Sequence, residues 1–137
     1  MARSMNELSQ QAWDMLGEYH LASLATTRPD GTPHVVAVGF TADREAGIAR
    51  VITFEGSQKV RNAERCGYAA LTHVDGPRWL TLEGPARVRR EPEQVRDAER
   101  RYAQRYREPK PNPRRVVIEV RVGRVLGSSG MFDQAAD

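Results

Sequence analysis

The sequence predicts a mainly β fold, a small six-stranded antiparallel barrel with short flanking helices. Three observations lead there. Six runs are rich in β-branched residues or alternate apolar with polar, and several are joined by Pro, Asp and Gly turn residues. No strand–helix–strand repeat of the kind that builds a parallel sheet occurs. At 137 residues the chain suits one domain with a single core. No repeat, low-complexity segment or composition break divides it, so residues 1–137 read as one domain with an ordered core over 9–126.

The elements follow in order. A helix is expected from Ser9, a good N-cap, to Tyr19, with Leu8, Ala12, Met15, Leu16 and Tyr19 on one face. Leu21 to Thr27 reads as the first strand and His34 to Phe40 as the second, joined in a hairpin by Arg28-Pro29-Asp30-Gly31-Thr32. The Val-rich second strand suits a mostly buried position. A turn over Asp43 to Gly47 carries it as a meander into the third strand, Ile48 to Phe54. A short helix spans Ser57 to Cys66. Tyr68 to Val74 and Arg78 to Arg89 form the next pair around Asp75-Gly76-Pro77, with a bulge or an edge expected at Gly84-Pro85. A third helix, Pro92 to Arg107, has Pro in its first turn and Val95, Ala98, Tyr102 and Tyr106 on one face. The loop PKPNP ends it, and Arg115 to Leu126 alternates as the sixth strand. The tail over 128–137 is expected to be loosely ordered unless a partner subunit holds it.

Composition narrows the function. No apolar run approaches the roughly 20 residues of a membrane span. The N-terminus lacks a signal-peptide core, and one cysteine, Cys66, excludes an internal disulfide, so a cytoplasmic protein is expected. His20, His34 and His73 are scattered without zinc-type spacing and read as strand-end or part-buried residues, so no metal is expected. No nucleophile–base pair stands out. An enzyme with so little side-chain chemistry would rely on a bound cofactor.

The stretch from Pro33 to Asn62 could hold one. Two β-type runs lead to Gly56-Ser57-Gln58-Lys59 at a helix start, with Arg50, Arg61 and Asn62 nearby. Unpaired N–H groups, a hydroxyl and cations there can take a phosphate beside a strand that takes a flat ring. The plainer reading of Ser57 and Lys59 is a cap and an exposed Lys. Trp79 reads equally as a rim aromatic or a stacking platform. The basic run from Arg96 to Arg115 is either a solvated helix face and loop or an anion groove. Without a nucleic-acid module, nucleic acid is not expected as a partner.

The segments HLASLATTRPDGTPHVVAVGF, ARVITFEGSQKVRNAER and DGPRWLTLEGPARV, with RDAERRYAQRYR and PNPRRVVIEV, resemble the pyridoxamine-phosphate-oxidase-like superfamily. Within it they are similar to the reductases that use the deazaflavin coenzyme F420. The likeness runs from about Ser9 to Leu126. It implies a six-stranded antiparallel split β-barrel and a homodimer with cofactor sites at the subunit interface. It implies that the ring lies on the backbone of His34, Val35, Val36, Ala37 and Val38. Arg50, Thr53, Ser57, Gln58, Lys59 and Asn62 would hold the phosphate side, and Arg78 and Trp79 would come from the neighbouring subunit. Arg101 and Arg105 would face the coenzyme's polyglutamate tail or a substrate propionate. The expected activity is hydride transfer from reduced coenzyme F420 to a planar conjugated acceptor, biliverdin to bilirubin. An FMN-dependent oxidoreductase and a non-catalytic F420 or tetrapyrrole carrier are the alternatives. The chain leaves no room for the C-terminal substrate segment of true pyridoxamine-phosphate oxidases, so vitamin B6 chemistry is not expected.

Overall fold

The structure, a computed structural model, describes residues 3–133. In chain order its helices and strands are α1 (Gln10–Gly17), β1 (Ala22–Thr27), β2 (Pro33–Val38), β3 (Thr41–Asp43), β4 (Ile48–Phe54), α2 (Gln58–Cys66), β5 (Tyr68–Asp75), β6 (Arg78–Arg89), α3 (Pro92–Arg105), β7 (Arg115–Arg121) and β8 (Arg124–Gly127). All strand pairs are antiparallel, in the order β2-β1-β5-β6-β7-β4-β3, with β8 on β6. The sheet curls around one core but stays open between β2 and β3, as a split barrel does.

The described residues contain eight strands where the sequence predicts six. The expected strand from His34 to Phe40 stops at Val38, and Thr41 restarts the chain in a new direction. Two side chains from the end of α3 hold the break. The Phe40 N–H donates to the Tyr106 hydroxyl at 3.1 Å, and the Phe40 carbonyl accepts from Arg105 at 2.6 Å. The hairpin into β4 is therefore made by β3, with Thr41 opposite Arg50, and β2 pairs only with β1. That replaces the expected meander.

The sixth expected strand also divides. β7 ends at Arg121, where the Val122 N–H donates to the Gly47 carbonyl and the Gly123 N–H to the Glu83 carbonyl, both at 2.9 Å. β8 then crosses to pair with β6. At 12 residues, β6 joins the two halves of the sheet. It pairs with β5 along one side, and on the other it changes partner from β8 to β7 around Gly84-Pro85. The strand is interior and continuous there, so the expected bulge or edge is a partner switch. Pro85, which has no N–H to donate, falls at the switch. A Cβ on Gly84 would lie 1.9 Å from the Arg121 carbonyl oxygen, so only glycine permits the crossing.

Phe40, Leu24, Leu71, Leu80, Leu82 and Ile118 fill the core. α1 begins as its cap predicts, with the Ser9 hydroxyl accepting the Ala12 N–H, and it lays Ala12, Met15 and Leu16 on the core. It ends two positions before Tyr19, which is exposed. The segment after Ser128 is ordered through Asp133, against expectation. Met131 is 0% exposed, its carbonyl accepts the Ser9 N–H, and Leu8 bridges Phe132. Two apolar side chains in that segment fill a gap beside α1. The remainder of the expected tail, 134–137, lies outside the described residues.

Candidate functional site

A cleft of about 540 Å³ opens where the end of β2 faces β4, the start of α2 and the chain leaving α3. Its volume is in the range of small-molecule sites. Ala37, Val38 and Gly39 form one side, Ile52, Thr53 and Phe54 another, and Tyr102 the floor beside Gly39. A Cβ on Gly39 would approach the Tyr102 ring to 2.9 Å, so the close packing of chain on ring needs glycine.

Lys59 enters the cleft from the second position of α2. Burial pushes its ammonium below the usual lysine range. Its Nζ lies 5.7 Å from the centre of the Phe54 ring, and no carboxylate among the described residues pairs with it. Beside it the Thr53 and Ser57 hydroxyls approach to 3.4 Å. A half-dried cation next to two hydroxyls is an arrangement that an anionic ligand stabilises, because the ligand restores the charge balance that burial removed.

β2 is an edge. With a single neighbour strand, it leaves alternate N–H and C=O groups unpaired along its free side. Val38 is its one buried residue and Val35 is 57% exposed, so the expectation of a mostly buried strand does not hold. Half-buried Val36 packs on the core, as the pleat requires. The free edge suits a flat ring that carries hydrogen-bonding groups at its rim.

The structure brings Ala37, Val38, Thr53 and Lys59 into one cleft, with Ser57 adjoining. It places other expected ligands elsewhere. Arg50 is buried and donates to Asp43 at 3.0 Å. Asn62 is 0% exposed; its amide donates to Thr26 and its oxygen accepts from Gln58, so this pair ties α2 to β1. Arg101 pairs with Asp97 at 3.0 Å and Asp43 at 3.3 Å. Arg105 is buried and gives its donors to the carbonyls of Glu18, Phe40 and Met15. Burial lowers its pKa, yet a guanidinium stays charged and clamps three main-chain segments. Arg78 donates to Glu18 and Asp75, and Trp79 lines a separate groove with Leu126 and Phe132. His34 is half-buried outside the cleft lining, and its Nδ1 has no hydrogen-bond partner among the described residues.

Sequence reasoning missed Tyr102, and it placed Arg107 and Lys110 only within the basic run read as a solvated face or an anion groove. Tyr102 falls four positions before Tyr106 on what reads as a packing face. The PKPNP loop carries a helix-stop signal that hides its role as a wall. A run of three prolines spaced two apart beside two cations was the available clue.

Residues 8–128 match the family model described as pyridoxamine 5'-phosphate oxidase. A relative from Mycobacterium tuberculosis, an F420H(2)-dependent biliverdin reductase, is 59% identical over 135 residues, which are 98% of both chains. Among solved structures, one described as an F420 reductase is 28% identical with a TM-score of 0.68, covering 82% of this chain and 94% of its own. A conserved hypothetical protein from Mycobacterium tuberculosis shares the fold, with a TM-score of 0.75, 23% identity and coverage of 91% and 88%. The open antiparallel sheet, the cleft at its free edge and these likenesses agree: the chain belongs to the pyridoxamine 5'-phosphate oxidase family.

Proposed function

We infer that this chain is a reductase that uses reduced coenzyme F420 to convert biliverdin to bilirubin. The observation that carries the reading is the 59% identity, end to end, with a relative named for that activity. The cleft supports it. Its lining supplies what a phosphate-bearing flat cofactor needs: a dried cation in Lys59, the hydroxyl of Thr53 with that of Ser57 beside it, and the free edge of β2. When bound, the coenzyme supplies the hydride. The chain's own residues bind and orient: main-chain groups from Ala37 to Gly39 meet the ring rim, and Tyr102 limits its depth. Two ring systems held face to face make transfer effectively unimolecular, the main source of acceleration in such a site. The matching proton comes from solvent, to which the cleft is open.

In this reading the protein works in the cytoplasm as a homodimer. The bare β2 edge and the exposed Val35, Val74, Trp79 and Leu126 give a second subunit an apolar surface, and Arg78 and Trp79 would meet the cofactor across it. Light scattering on the purified protein measures the mass, and a monomer would remove the interface from the site. The activity test follows absorbance after mixing protein, reduced coenzyme F420 and biliverdin. A bilirubin band growing with coenzyme oxidation is expected. Oxidation at the rate of a protein-free control would sink the assignment. Turnover supported by FMN alone would transfer the site to a flavin.

A further inference from the structure

Away from the cleft, at the end of the sheet where β5 turns into β6, the fold gathers two pairs of side chains, Glu18 with His20 and His73 with Asp75. The β1–β5 register sets Ser23 opposite Thr72 and Leu24 opposite Leu71. Continued back along the chain, it puts His20 opposite Asp75 and diagonal to His73, on the face that buries Leu24 and Leu71. The ligand atoms of Glu18, His20 and Asp75 all lie within 4.8 Å of one another. His20 Nε2 is 2.9 Å from Glu18 Oε1 and 4.0 Å from Asp75 Oδ2. Ligand atoms of a tetrahedral zinc site stand roughly 3.3–3.6 Å apart, between those two distances.

His73 closes the inner side. It is 2% exposed, neither ring nitrogen has a partner among the described residues, and its ring centre is 6.0 Å from that of His20. Two imidazoles on one zinc ion have centres about 5 Å apart, so a shift of about 1 Å brings both onto the same ion. A buried ring with both nitrogens unpaired is costly, and coordination removes that cost. The segment that carries Glu18 and His20 is already fixed, because the Glu18 carbonyl accepts from Arg105 at 2.8 Å and the His20 carbonyl from the Tyr106 hydroxyl at 2.7 Å. Glu18 is exposed, which leaves a path of entry from solvent. Arg78 donates to both carboxylates and brings one positive charge to two negative ones. A divalent ion would balance them in full, and two imidazoles with two carboxylates suit a first-row metal.

We propose that Glu18, His20, His73 and Asp75 bind one first-row divalent ion of the zinc type, which displaces Arg78 and fastens the segment before β1 to the end of β5. The test uses the untagged full-length chain, stripped with a chelator, titrated with Zn²⁺ by calorimetry and with Co²⁺ by visible absorption. One ion per chain is expected, with the strong Co²⁺ band of a four- or five-coordinate site. H20N should weaken binding by at least about tenfold, since loss of an outer partner alone costs roughly 10- to 100-fold. H73L removes the inner nitrogens while filling their space, and should weaken binding and dim the Co²⁺ band. R78Q removes the competing cation and should tighten binding several-fold, a gain that damage to the fold does not produce.

Circular dichroism checks that each variant is folded, and H20N, nearer the surface, reads the site even where H73L does not fold. Binding that survives H20N, weaker binding in R78Q, a folded H73L that binds as wild type does, or no saturable binding by wild type overturns the site.

Discussion

Removing Arg105 tests whether this residue is a structural clamp or a ligand for acid groups. Its guanidinium donates to the Phe40 carbonyl at 2.6 Å, the Glu18 carbonyl at 2.8 Å and the Met15 carbonyl at 3.4 Å, with 8% of the residue exposed. A bond from a charged donor contributes about 1.5–3 kcal/mol, and an acceptor left unpaired in the interior costs a similar amount. Counting the two short bonds in full and discounting the long one gives about 3–6 kcal/mol for R105M. That is a large share of the 5–15 kcal/mol typical of a domain. With a urea slope of about 2 kcal/mol/M, the unfolding midpoint falls by roughly 2 M. Lys in this position keeps a charge but cannot reach three carbonyls, so R105K should lose about half as much. Fluorescence of Trp13 and Trp79 follows the transition at one fixed protein concentration, since assembly would shift it. An unchanged midpoint, joined to a loss of biliverdin affinity, would return Arg105 to the binding site and refute the clamp.

Three further outcomes follow from the same contacts. K59A should weaken coenzyme binding by about 1.5–3 kcal/mol, or roughly 10- to 150-fold, while leaving the melting temperature of the free protein unchanged or raised; unaltered affinity in a fluorescence titration would remove Lys59 from the phosphate position. His73 is 2% exposed, neither ring nitrogen has a partner among the described residues, and burial, with Arg105 adding, holds its pKa at about 4. Because the folded value is depressed, the unfolded chain binds the extra proton first: stability is complete above pH 6.5 and falls by up to about 3 kcal/mol toward pH 4. In H73L the denaturation midpoint should be flatter across that window, and an unchanged pH slope would contradict the burial argument. G84A should yield misfolded or insoluble protein, since its Cβ would meet a main-chain oxygen of β7 at 1.9 Å; a soluble variant with wild-type circular dichroism and melting would refute the crossing constraint.

Local signals in the sequence carried the elements whose cause is local. Ser9 caps α1, Gly67 ends α2 in the left-handed conformation, and the turns at Asp30-Gly31 and Asp75-Gly76 fall where their residues place them. The errors lie where distant residues decide. Nothing near Gly39 signals a strand break; Tyr106 and Arg105, 66 and 65 positions from Phe40, impose it through its N–H and C=O. Likewise the alternation expected from Arg115 to Leu126 does not hold: β7 buries Val116 through Val120 on both faces, and in β8 Val125 is buried while Leu126 is exposed. Alternation reports which face is buried and not which strand lies alongside, so the change of partner at Gly123 left no mark.

The basic run shows the same division at the level of the site. Its excess of arginine is plain in the sequence, but which of these are free depends on helix phase and on where the helix ends. Arg100 and Arg101 follow Asp97 by three and four positions and are neutralised on the helix surface. Arg105 closes the last turn of α3 against the core. Tyr106 then leaves the helix at φ −116 and ψ −86, a conformation that turns the chain aside. Had the helix continued to Arg107, that side chain would have pointed about 200° around the axis from Arg105. The break at Tyr106 sends Arg107 and the PKPNP loop over the cleft instead, and the same residue's hydroxyl holds the break between β2 and β3. One tyrosine thus stands at both the strand break beside the free edge and the exit of the chain that carries Arg107 into the cleft wall. Substitution by Phe keeps the ring but removes a hydroxyl that accepts from the Phe40 N–H and donates to the His20 carbonyl, so Y106F should lower the urea midpoint and weaken coenzyme binding in a fluorescence titration; both unchanged would remove the hydroxyl from the strand break.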